Sequence, residues 1–237
     1  MKSKKKYLVK YSLEFLVIVL GISVSFLVQN IIKEKELDIK RELIIRNILN
    51  ELESNNAYIT NTKDNFFREF DYVNRLLNNS LTKKKIKEYR KNYSPLNPFF
   101  SVVSFRPSRS IYNSLLSDGS FNFIESPKLK ALIDDVYKLN YNSILNIIEL
   151  EKEVAIEADR FFVNNHSEVY VQNFWFNFND DKLINNVFKI MQNDNHFKAL
   201  MVQKISYMEI KTSALDEYSK KRDALIKLLK NKLNLNI

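Results

Sequence analysis

The sequence has no cysteine, two glycines, four prolines, two histidines and one tryptophan. Lacking cysteine, it has no disulfide, no thiol nucleophile and no thiolate metal site. Gly21 and Gly119 are the only glycines, so neither a dinucleotide fingerprint nor a phosphate-binding loop can be written, since both need clustered glycines for close backbone approach to phosphate. A Gly-x-Ser-x-Gly nucleophile elbow is missing for the same reason. Scarce glycine and proline also mean scarce turns, which favours long helices.

What the chain has in abundance is apolar sequence in one place. Residues 11–32 form an almost unbroken hydrophobic run whose only formal charge is Glu14. At about 1.5 Å of rise per residue this is long enough to cross a hydrocarbon core of about 30 Å. Lys2, Lys4, Lys5, Lys6 and Lys10 precede it, and with the small residues Ser23, Val24 and Ser25 they also match a cleaved signal peptide. Phe26, Leu27, Val28, Ile31 and Ile32 carry the apolar character past that point, so the expectation is a retained transmembrane helix. Lysine density before the span exceeds that of Lys33, Lys35, Lys40, Arg41 and Arg46 after it. By the positive-inside rule, residues 1–10 become a cytoplasmic tail and the body lies outside, in the periplasm, anchored at a bacterial inner membrane. Glu14, Gly21, Ser25 and Val28 share one side of this helix, and Gly21-x-x-x-Ser25 lets two backbones approach closely. That stripe is a candidate homodimer contact, with Glu14 either near the headgroups beside Lys10 or hydrogen-bonded across a helix pair.

Net charge is +9 and uneven. Lysines and arginines concentrate in the tail, at Lys83, Lys84, Lys85, Lys87, Arg90 and Lys91, and at Lys220, Lys221, Arg222, Lys227, Lys230 and Lys232. The rest of the chain is mildly acidic. A body with separate basic patches differs from a uniformly basic nucleic-acid binder.

Residues 33–237 are enough for one helical domain. Residues 33–79 contain neither glycine nor proline and predict one long juxtamembrane helix. Its seam is Ile45, Ile48, Leu52, Ile59 and Phe66, shifting by four to Phe70, Val73 and Leu77 as a stutter would. Asn55 and Thr62 on the seam favour packing in a bundle over an extended coiled coil. Residues 80–237 supply the rest of an antiparallel, all-α bundle. A short helix spans 82–93, and another runs from Ser108 as cap to Ser117, ended by Asp118-Gly119. Ser126-Pro127 starts a long one, with Leu129, Ile133, Val136, Asn140, Ile144, Ile147, Leu150, Val154, Ala158 and Phe161 or Phe162 inward. A strand or hairpin is expected within 169–178. Asn179 caps a helix to Gln192, and a last helix from His196 points Phe197, Leu200, Met201, Ile205, Met208, Leu215, Leu225 and Leu229 inward.

Glu14, Gly21-Ile22 and Gln29-Asn30, followed by a charged helix, together with the stretch Ile111-Tyr112-Asn113-Ser114-Leu115-Leu116-Ser117-Asp118-Gly119 and Phe123-Ile124 before Leu129, resemble an uncharacterised family of single-span bacterial membrane proteins. The resemblance runs from Tyr11 to the final helix. It departs at Ile31, where the family often has tryptophan. It implies an anchor and a fold; it implies no activity.

Candidate chemistry is sparse. His166 with Glu168, and His196 with Asp194 or Asp180, have ligand types for a metal but no spacing that requires one. Asp134-Asp135 and the acids Glu149, Glu151 and Glu153 read as the solvated face of their helix rather than paired catalytic carboxylates. Between Lys83 and Tyr112, bases alternate with Tyr89, Tyr93, Phe99, Phe100 and Phe105, a pattern shared by nucleic-acid tracks and by a solvated helix followed by core aromatics. An exported domain removes nucleic acid from the partners. The sequence therefore predicts a protein without catalytic, cofactor or metal residues: an interaction or scaffold subunit whose partners are the lipid bilayer, a second copy, and an unidentified membrane or periplasmic protein. The alternative is an extracytoplasmic ligand-sensing bundle that signals through a partner.

Overall fold

The computed structural model describes residues 2–91, 93–172 and 179–234, with side chains from Phe15 onward. The fold is all-α, and no strand occurs among the described residues. Helix α1 (Lys2–Ser54) and helix α2 (Asn56–Leu77) are almost one rod. Asn55, between them, keeps right-handed helical angles, and the bonds from Asn55 N to Glu51 O (3.2 Å) and from Ile59 N to Asn55 O (3.0 Å) carry the ladder across. Asn55 is buried because its amide clamps a distant loop, donating to Ser108 O at 2.9 Å and accepting from Ser108 N at 2.8 Å.

Four short helices and two irregular turns follow. Helix α3 (Lys83–Arg90) is capped by Thr82, and α4 (Asn97–Phe100) turns the chain back. Helix α5 (Ser110–Ser117) ends at Gly119, whose φ of +73° is the left-handed conformation glycine adopts without strain. A 3₁₀ turn (Ser120–Phe123) leads to α6 (Pro127–Asp134), started as expected by the Ser126 cap and proline at the first position. A π turn (Asp135–Asn140) joins it to α7 (Tyr141–Asn165). The side chain of Asn140 donates to Asp135 O at 2.8 Å, a bond across the wider turn. Helix α8 (Ser167–Val171) replaces the start of the expected strand; the remainder of that expectation, 173–178, lies outside the described residues. Helix α9 (Asp181–Asn193) is capped by Asp180 rather than Asn179, and α10 (Asn195–Lys232) by Asp194.

Helix α10 runs antiparallel to α1 and α2. Its ion pairs and hydrogen bonds climb one rod as they descend the other: Lys230 to Glu53 at 2.9 Å, Arg222 to Asn56 at 3.2 Å, Lys63 to Asp216 at 2.6 Å. It is antiparallel to α7 as well, since Lys221 meets Asp135 at 3.1 Å while Lys211 meets Glu151. The body is thus a three-rod bundle with the short helices packed around its two ends.

Two apolar cores result. The one nearer the apolar run gathers Ile44, Ile48, Leu52, Ile59 and Phe66 with Ile133, Ile144, Leu215, Leu225 and Leu229. The far one gathers Tyr72, Val73 and Leu76 with Phe99, Phe162, Val187, Phe197 and Met201. Each buried side chain of this kind contributes about 1.5–3 kcal/mol. The seam of α2 passes through Glu69 and Leu76, which are buried, not Phe70 and Leu77. The spacing of three and four continues regularly and no stutter exists. On α7, Glu151 is buried and Leu150 is exposed, the reverse of the expectation from hydrophobicity.

Candidate functional site

The boundary between the two cores is ionic. Glu69 on α2, Glu151 on α7, and Lys204 and Lys211 on α10 converge there, with Glu151, Lys204 and Lys211 sealed from solvent. Lys204 and Lys211 are seven residues apart and so lie on one face of α10. Glu151 reaches between them: Oε2 accepts a hydrogen bond from Lys211 Nζ, and Oε1 lies 3.9 Å from Lys204 Nζ. Lys204 also donates to Ser101 O at 2.6 Å and Phe99 O at 3.5 Å, the carbonyls at the end of α4. Lys211 sits 3.7 Å over the ring of Phe66, whose negative face attracts it.

Burial dominates the titration of this layer. It pushes the Glu69 carboxyl up to about 7, aided by the charge of Glu151 and opposed by Lys204 and Lys211. It pushes Lys204 down to about 8, opposed by Glu151 and Glu69, and Lys211 down as well, against the pull of Glu151. Each shift moves its group toward neutrality, the response to desolvation where attraction is incomplete. The layer is closed to solvent, and its lysines tie α10 to the carboxylate of α7 and to the carbonyls at the end of α4.

A second polar cluster ties the loop before α5 to α1. The Glu51 carboxylate accepts from Ile111 N at 2.8 Å and Tyr112 N at 3.4 Å, and from the hydroxyls of Ser110 at 3.0 Å and Ser108 at 3.2 Å. Ser108 does not cap α5 as its sequence position suggests; a carboxylate from another helix does, supplying negative charge where helical N–H groups are unpaired. Tyr112 stacks on Tyr137 with ring centroids 4.7 Å apart and donates to Asp134 at 2.8 Å. Burial first, then that bond, pushes its phenol up to about 12. Arg109 covers the ring of Tyr141 at 4.2 Å.

The acids expected on a solvated face therefore divide. Glu149 and Glu153 are exposed, whereas Glu151 is an inner charge, Asp134 holds Tyr112 and Asp135 holds Lys221. The basic residues of α3 stay mostly outside: Lys83, Lys84, Lys87 and Lys91 are exposed, while Arg90 pairs with Asp181 at 2.9 Å and Lys85 with Asp71 at 3.4 Å. Of the interleaved aromatics, Tyr89, Phe99 and Phe105 are buried, and Tyr93 is covered by Arg68 at 4.6 Å. His166 and His196 both lie against Phe161, at 5.3 and 5.8 Å between centroids. Among the described residues no three of the ligand-type side chains gather as a metal site would require. Gly21, Ser25 and Val28 are exposed along α1, and the Ser25 hydroxyl donates back to Gly21 O at 2.9 Å. The side chain of Glu14 lies outside the described residues.

Sequence reasoning missed Glu69, Lys204, Lys211 and Glu51 because it scored the seams by hydrophobicity. The signal was present in the spacing. Met201, Lys204, Met208, Lys211, Leu215, Tyr218, Arg222, Leu225 and Leu229 alternate by three and four without a break, so charges occupy inner positions. Comparison with protein-family models, with curated proteins and with solved structures gives no match.

Proposed function

We propose that the protein is a single-span, membrane-anchored scaffold or interaction subunit of the bacterial inner membrane, non-enzymatic, with its helical body in the periplasm. One observation carries this reading. The first helix holds the one segment among the described residues long and apolar enough to cross a membrane, and none of that apolar window is buried against the body. Apolar surface continuous around a helix is unfavourable in water and at home in lipid. The density of lysines before the span supports the orientation, and the resemblance of the Ile111 to Gly119 motif to single-span bacterial membrane proteins supports the class. The sealed Glu151, Lys204 and Lys211, bonded to one another and to backbone carbonyls, suit a rigid body that holds partners better than one that turns over substrate.

The test is a topology assay on the full chain, with a reporter active only outside the cytoplasm fused after Ile237. Activity is the expected result. Silence, together with activity of a cytoplasmic reporter at the same place, overturns the orientation and makes the exposed lysines of α3 the surface to probe.

A further inference from the structure

Beyond the apolar run, α1 still carries exposed hydrophobic side chains. Ile39 is 68% exposed and Leu43 55%, although Ile39 sits between Asp38 and Lys40, Leu43 follows Glu42, and Ile39 lies seven residues, or about 10 Å, past Ile32. With 3.6 residues per turn, Ile39 and Leu43 fall on the same stripe as Gly21, Ser25, Val28 and Ile32. The face that packs on the bundle, through Ile44, Ile48 and Leu52, lies roughly half a turn away. The stripe is therefore unpartnered over about 33 Å of helix, first within the apolar run and then beyond it. Lipid accounts for the first part. It does not account for the second.

The geometry points to a second copy of this chain as the occupant, the two α1 helices lying parallel along the stripe. This rests on the membrane-anchored reading and names the partner for it. An occupant must be a helix that leaves the bilayer at the same height and stays beside α1 to Leu43, and another α1 meets that condition by symmetry. The two-fold arrangement is isologous, each stripe facing its own copy. Small residues at Gly21 and Ser25 permit close approach within the membrane, where packing drives association. Outside it, Ile39 and Leu43 bury against their counterparts. Lys35 and Glu36 flank the stripe on opposite sides and are both exposed, so across a parallel two-fold Lys35 of each copy faces Glu36 of the other, an attractive rim. The bundles project from the far sides of the helix pair and leave it unobstructed.

The natural chain has no cysteine, which allows a clean test in membranes carrying the full-length protein. Single variants Ile39→Cys and Leu43→Cys are oxidised beside Glu34→Cys, an exposed position on the other side of α1. The expected product is a disulfide-linked band at twice the 28.1 kDa chain mass for the first two and not for the third. In the Ile39→Cys background, Lys35→Glu reduces that band and adding Glu36→Lys restores it. Equal cross-linking at all three positions, no cross-linking, or a band at another mass overturns the second copy as occupant. Alkaline extraction of the same membranes separates this from failure of the anchor: protein released from the pellet overturns both readings, whereas protein retained without the doubled band overturns only the dimer.

Discussion

Glu151 and Lys211 pair their charges in a space closed to solvent, with the lysine also lying over Phe66. Removing Lys211 leaves Glu151 facing only Lys204, 3.9 Å away, and removing Glu151 leaves Lys211 without its hydrogen-bond partner. Lys211→Met or Glu151→Leu by itself is expected to destabilise the protein by about 3–5 kcal/mol, whereas the double substitution costs less than the sum of the two, since the pair goes together and only Lys204 loses a partner. Chemical denaturation of the four proteins, in detergent, measures the coupling. Additive losses would show that the pair does not act as a unit.

The same layer makes stability depend on pH in two opposed ways. Glu69 is raised from 4.5 to about 7, so between those values the folded chain keeps a proton that the unfolded chain has released. Stability falls as pH rises through that window, by up to about 1.4 kcal/mol per pH unit. Lys204 is lowered from 10.5 to about 8, so the unfolded chain holds the extra proton between those values and stability rises with pH there. The contribution of the layer is lowest between the two windows. In thermal melts across this range, Glu69→Gln is expected to flatten the lower limb and, by removing a carboxylate that holds Lys204 up, to extend the upper one toward lower pH. An unchanged lower limb would assign that slope to other groups.

Glu51 holds the start of α5 from outside its own sequence. Glu51→Gln keeps an acceptor and loses the charge; Glu51→Ala loses both, leaving two backbone donors without the carboxylate and the hydroxyls of Ser108 and Ser110 with only each other, 3.2 Å apart. The expected order of stability is wild type, then Gln, then Ala, the last lower by about 2–4 kcal/mol. Hydrogen exchange at Ile111 and Tyr112 reads the local effect directly. Unaltered protection there in Glu51→Ala would remove the carboxylate from the cap.

Asn140 supports the π turn through its bond to Asp135 O. Asn140→Ala is expected to cost about 1 kcal/mol and to speed exchange within residues 135–144 before it affects α10. Loss of stability without that local signature would mean the turn is held by packing alone.

How much of this was legible in the sequence differs by element. The long rods, the Ser126-Pro127 start, the Gly119 stop and the inward faces of α6 and α10 follow from periodicity and capping, because local physics decides them. The direction of α10 against α2 and α7 is a tertiary relationship that no local pattern carries. The ionic layer lies between these cases. Positions 69, 151, 204 and 211 follow the seam spacing, but an inner charge is stable only where an opposite charge reaches it from another helix, and the helices supplying Glu69 and Glu151 are far apart in sequence. The cap at Glu51 was hidden for the same reason, with Ser108 a plausible local substitute. Leu150 attracted an inward assignment because it is apolar, and the turn of the helix overruled it.

The charged layer also limits how the body can move. Sliding α10 by one turn past α2 and α7 would carry Lys204 and Lys211 away from Glu151 and into one of the apolar cores, an expensive step at every stage of the travel. The bundle is consequently a poor piston. A push applied along α1 passes into α2 and the rods linked to it as one body, as tilt or rotation of the whole assembly.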